Sequence, residues 1–277
     1  MNGRAIQRNA WLLPLLVISS GCALPITRPD APLSSRPYVL HLPGIAGDSL
    51  PDRLFLSALH TGGFDADFEL FDWTKGRTWV QALQDEARSK AEALQVAGMI
   101  AKVRAANPDR PVFLTAESGG AGVATWALED LPPDVMVDGV ILISPALSRG
   151  YDLSAALRHV RDKFVVFYSP SDAFILGYGT RTYGTVDRRF EDASGRFGFI
   201  VPATADPLQY QKLDQRKHDS DWFWTYGNSG GHVEPMNVRF ASGYIAPILI
   251  ELASHASDGV GATAEENTAT NRTNVHE

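Results

Sequence analysis

Short apolar runs alternate with stretches of helical period along most of this chain. Tyr38–Leu42, Phe68–Trp73, Val112–Thr115, Val137–Ser144 and Lys163–Tyr168 are β-prone and largely apolar, as strands buried on both faces of a parallel sheet are. Between them lie helical patterns. Arg53–His60 predicts a short helix, and Trp79–Ala106 predicts a long one with Leu83, Ala87, Ala91, Leu94, Ala97 and Ile100 on its apolar face. Glu86 and Lys90 pair at i, i+4 on its solvated side, and Asn107-Pro108-Asp109 stops it. Gly122–Glu129 and Leu153–Val160 predict two more helices, and Ala241–Ala253 a closing one, interrupted or started near Pro247. The alternation implies an α/β domain: a mostly parallel central sheet with helices on both faces. Gly177 to Asp219 carries no clear period, beyond an apolar triplet at Phe199–Val201 that allows a short strand.

The two ends follow other patterns. Arg4 and Arg8 precede the apolar run Ala10–Ile18, which is too short to span a bilayer and resembles a secretion signal over residues 1–21. Ser19-Ser20-Gly21-Cys22 resembles a bacterial lipobox, with Ser19 where an aliphatic residue is usual. Cys22 is the only cysteine, so the exported part has no free thiol and no internal disulfide. That implies lipidation at Cys22 and anchoring in a bacterial envelope; the alternative is an ordinary signal and a soluble secreted or periplasmic protein. Pro25, Pro29, Pro32 and Pro37 make residues 22–37 an extended linker. Tyr38 to Ala253 forms the domain, and Ser254 to Glu277 reads as a polar, disordered tail. The net charge of −7 argues against a nucleic-acid partner. No histidine and carboxylate spacing matches a metal site, and no cofactor is implied.

The chemistry concentrates at Ala116-Glu117-Ser118-Gly119-Gly120, between a predicted strand and a predicted helix. A serine hydroxyl is a weak nucleophile until it is lifted clear of its neighbours and a base takes its proton. A sharp strand-to-helix turn lifts it, and needs small residues two before and two after the serine. Ala116 and Gly120 satisfy that, although Ala116 departs from the usual glycine. The alternative for this run is a glycine-rich turn whose serine caps a helix. Asp172 follows a predicted strand, and His232 follows Gly230-Gly231 in a later loop. His218 is a rival base and Asp162 a weaker rival acid, while His41, His60 and His159 fall in or beside regular elements.

The order Ser118, Asp172, His232, with the Leu42-Pro43-Gly44-Ile45 loop and the Ala116–Gly120 turn, resembles the α/β-hydrolase superfamily over Tyr38–Ala253. The resemblance implies a catalytic triad of Ser118, His232 and Asp172, an oxyanion hole from the backbone N–H groups of Ile45 and Gly119, and hydrolysis of a carboxylic ester of a small molecule or lipid through an acyl-enzyme. The stretch Ser144–Lys163 is too short for a large lid. Asp72, Trp73 and Tyr178 lie where they could line a pocket or pack the core. A second reading is an envelope binding or scaffolding protein that keeps the fold without turnover.

Overall fold

The computed structural model describes residues 34–257; the expected signal, Cys22, most of the expected linker and the expected tail beyond 257 lie outside them. Six strands form one all-parallel sheet in the order β2-β1-β3-β4-β5-β6: β1 (Tyr38–Leu42), β2 (Asp67–Leu70), β3 (Val112–Glu117), β4 (Val137–Ile143), β5 (Val160–Tyr168) and β6 (Leu213–Lys217). The reversal of strand order beside β1 and β3 places the functional crevice at the C-terminal ends of the central strands.

Alternate side chains of each strand feed two cores. On one face Leu40, Leu42, Leu114, Val140, Leu142 and Val166 pack against α2 (Trp79–Gln84), α3 (Glu86–Ala106), α4 (Gly120–Glu129) and α5 (Ser154–Leu157). On the other, Val39, Phe113, Ile141, Val165 and Phe167 meet α1 (Leu50–Thr61) and the closing helix. That closing helix starts at Val238, passes through a π-helical turn at Ala241–Ile245 and continues over 246–257. Pro247 has no N–H to donate, and the wide turn just before it fits that loss. The four residues 254–257, read as tail, therefore continue the helix.

Three other expectations change. The long helix breaks at Asp85, whose carboxylate caps α3 by accepting from Arg88 N–H at 3.0 Å. The break re-phases the pattern, so Ser89, Glu92, Ala93, Val96 and Ile100 face inward while Ala87, Ala91 and Leu94 are exposed. Phe199–Val201 is not a strand; the sixth strand is the half-exposed edge segment Leu213–Lys217. Finally, residues 174–183, for which the sequence predicts no element, form a π-helical turn (Phe174–Gly179) running into a short helix (Thr180–Tyr183). This turn overhangs the C-terminal edge of the sheet beside Ser118.

Candidate active site

Ser118 lies one residue beyond β3, with φ at +51°. A non-glycine residue is rarely found there, and such strain persists only where the surroundings enforce it. Here Ser118 N–H donates to Ile143 O at 3.0 Å, while Ser118 O accepts from Ala146 N–H and Ala121 N–H. The position after next has to be glycine: a Cβ on Gly120 would stand 2.3 Å from Pro43 O and 2.6 Å from Leu42 O. Ala116, two before the serine, fits its strand with its side chain fully buried, so the departure from glycine on that side is accommodated.

Two further segments reach this turn. Asp172, in the turn after β5, is buried and accepts from Leu176 N–H at 3.2 Å through Oδ1. Its Oδ2 accepts from His232 Nδ1–H at 2.5 Å. His232 Nε2 lies 3.0 Å from Ser118 Oγ. The three residues singled out in the sequence thus form one continuous relay of hydrogen bonds. His218, the rival base, points elsewhere: its Nε2 meets Asn228 O at 3.0 Å and supports the loop that carries His232. Asp162 pairs with His255 at 2.8 Å, at the opposite end of β5. His41 is fully buried between Asp52 and Thr115, and His159 bonds Val135 O. His60 is exposed at the end of α1.

Ile45 and Gly119 face one another across the serine; a Cβ on Gly119 would come within 2.6 Å of Ile45 Cγ2. Among the described residues, neither backbone N–H has an acceptor. Trp73 is buried and donates from Nε1 to Pro43 O at 2.6 Å, which pins the loop carrying Ile45. Asp72 accepts from Thr74 N–H and Oγ1–H, a turn role. Of those three residues only Tyr178 lines a cavity at the site.

Two residues escaped the sequence reading. Glu117, the last residue of β3, is buried, and its Oε1 lies 3.0 Å from His232 Nε2, the same nitrogen that faces Ser118. Gly44 makes room for it, because a Cβ there would stand 2.1 Å from Glu117 Oε2. A charged residue closing an apolar strand is costly unless paired, and that was the available signal. Ser144, one residue beyond β4, also has a positive φ, +47°, and its hydroxyl donates to His232 O at 2.7 Å. Nothing in the sequence marks it.

Burial in the crevice pushes the His232 pKa down, but the hydrogen bonds and charges of Asp172 and Glu117 outweigh it, and the imidazole is raised from 6.5 to about 10. At neutral pH the ring therefore holds two protons, and it becomes a base only as one is lost. Among the described residues, no cluster of histidine, cysteine and carboxylate could hold a metal ion.

No protein-family profile matches the chain, and no curated protein sequence does. The chain is similar to several solved structures at low identity. A Trichoderma reesei cutinase in complex with a phosphonate inhibitor is 15% identical, over 78% of this chain and 76% of that one, with a TM-score of 0.42. Aspergillus fumigatus lipase B is 15% identical over 77% of this chain and 52% of that one, TM-score 0.46. A cutinase-like protein from Cryptococcus sp. is 16% identical over 80% and 98%, TM-score 0.42. At such identities and TM-scores these likenesses assign nothing to this chain, and the fold rests on its own geometry. With its parallel sheet, helices on both faces and the sharp strand–Ser118–helix turn, the chain has an α/β-hydrolase fold.

Proposed function

We propose that this chain is a serine hydrolase of carboxylic esters. The observation that carries the reading is the unbroken relay from Asp172 through His232 to Ser118 Oγ, with the serine held at a strained φ. Neutral His232 takes the hydroxyl proton through Nε2 as Ser118 Oγ bonds to the carbonyl carbon. The carbonyl electron pair moves onto oxygen, facing the free N–H groups of Ile45 and Gly119. Each such donor is worth on the order of 3 kcal/mol in the transition state. When the tetrahedral adduct collapses, the C–O bond to the alcohol breaks, and the leaving oxygen takes the proton back from Nε2. Water then attacks the acyl-serine by the same route and releases the acid. Asp172 holds the ring orientation and stabilises the imidazolium. No cofactor enters these steps.

The test is turnover of p-nitrophenyl butyrate by the full chain, beside Ser118→Ala and His232→Ala. Loss on the order of 10⁴-fold or more in both variants, with their melting curves intact, is the expected outcome. Equal turnover in the Ser118→Ala variant would remove the assignment.

We also propose export and lipid anchoring through Cys22, on the strength of the basic start, the apolar run and the lone cysteine at its boundary. Cells fed a labelled fatty acid should label the wild type and not Cys22→Ala; equal labelling contradicts it.

A further inference from the structure

Ser118 lies where two apolar cavities of similar size meet. One, of about 360 Å³, runs beneath the π-helical turn to Trp79, Leu83 and Tyr183. The other, of about 350 Å³, runs past Pro51, Val233 and Met236. Ile45 and Ile175 border both. They differ in a respect that matters chemically: His232, Glu117 and Asp52 line the second and not the first.

That difference assigns them, given the hydrolase reading on which this inference rests. The alcohol oxygen leaves only if it takes a proton from His232 Nε2, so the alcohol lies on the histidine side. The acyl carbon stays bonded to Ser118, and its chain points the other way. Once the alcohol departs, the vacated side is where water meets the same nitrogen.

The walls decide the substrate class. No charged side chain lines the first cavity, and the hydroxyl of Thr180 there is already bonded to the carbonyls of Leu176 and Glu191. A charged or strongly polar acyl group would lose its hydration with nothing in return. A group the size of water fills roughly 30 Å³, so the cavity has room for on the order of ten chain carbons. We propose that the cavity beneath Trp79 and Tyr183 takes the acyl chain and the cavity beside Val233 and Met236 takes the alcohol, so that the preferred substrate is an ester of a medium-length fatty acid, roughly eight to ten carbons.

The test compares two ester series on the full chain, below micelle-forming concentrations, by acid release. One varies the acyl chain of methyl esters; the other varies the alcohol of butanoate esters. In the wild type kcat/KM should rise about fourfold per methylene of the acyl chain, to a maximum near eight to ten carbons, and then fall. Two substitutions separate the cavities. At Gly179, in the helical region with φ −59°, an added Cβ meets only Phe174 O at 3.5 Å, so Gly179→Leu fits and projects into the first cavity. Val233 is 48% exposed, so Val233→Trp narrows the second cavity without disturbing the core. G179L should move the acyl optimum to shorter chains and leave the alcohol optimum in place; V233W should do the reverse.

A flat acyl series, or each variant shifting the other series, overturns the proposal. If G179L does not fold, the wild-type series and V233W still decide it. Fluorophosphonate labelling separates the two levels of failure. A labelled Ser118 with a flat acyl series sinks only the cavity assignment, whereas a folded protein that neither labels nor hydrolyses any ester sinks the hydrolase reading and this inference with it.

Discussion

The two edges of the sheet both bury carboxylates, and they treat them oppositely. At the N-terminal edge Asp138 is buried and completely answered. Arg104 and Arg161 pair with it, and Val112 N–H donates to it at 2.7 Å. Arg104 also donates to the carbonyls of Met136 and Arg110, so one side chain ties α3 to the starts of β3 and β4. Asp67 is held in the same manner between Arg36 and Arg110. At the C-terminal edge Glu117 and Asp172 face a single imidazole, and the two non-glycine residues just past β3 and β4 stand at positive φ. The lower edge spends its charges on holding the strands together. The upper edge leaves one imidazole shared between two carboxylates and a serine, which is the condition for moving a proton among them. Buried charge that is fully paired contributes order; buried charge that competes for one partner is poised for chemistry.

Substitutions at the two edges should therefore fail in different ways. The largest effect should come from Asp172→Asn, which keeps the shape but loses the acceptor that orients His232. Its kcat should fall on the order of 10⁴-fold while urea denaturation stays near the wild type. Arg104→Met should invert that pattern, because it leaves Asp138 buried beside only the half-exposed Arg161. A stability loss of about 3–5 kcal/mol in urea is expected, with kcat/KM per folded molecule unchanged. If R104M loses activity in the fold, the division between the edges is wrong.

A subtler pair sharpens the upper edge. Only neutral His232 accepts the serine proton, and its pKa is raised from 6.5 to about 10. In the wild type kcat/KM should therefore climb with pH, about tenfold per unit, and level off near pH 10. Glu117→Gln removes one of the two carboxylates that favour the imidazolium, and the inflection should move down by about one to two units. A profile unchanged by E117Q would show that Glu117 does not share the proton. The smallest effect should be that of Ser144→Ala. It removes one hydrogen bond to the His232 backbone, worth about 1 kcal/mol, and should lower kcat several-fold with KM little altered.

The sequence announced what depends on local composition and chain order. The buried runs of β1, β3 and β4 are mostly apolar, with His41, Thr115, Glu117 and Asp138 as the exceptions, so they stand out as buried strands, and β1 begins and ends where its pattern does. Ser118 was legible through the small residues packed around it, and His232 and Asp172 through their order behind it. What stayed hidden depends on three dimensions. Strand β6 is half exposed, so it lacks an apolar run. The break at Asp85 rotates the face of α3, and no residue within α3 reports that rotation. Glu117 and Ser144 matter only because the sheet brings a loop more than eighty residues further on against them, so neither residue type signals a role by itself.

If Ser118 is an activated nucleophile, an electrophilic serine probe will bond to it covalently. The purified full chain would be treated with an alkyl fluorophosphonate, digested, and searched by mass spectrometry for the modified peptide, beside His232→Ala and Arg104→Met. A single adduct on Ser118 is expected, lost in H232A and retained in whatever fraction of R104M remains folded. A folded wild type that takes up no label, or labels elsewhere, would contradict it and favour a binding protein that keeps the fold without turnover.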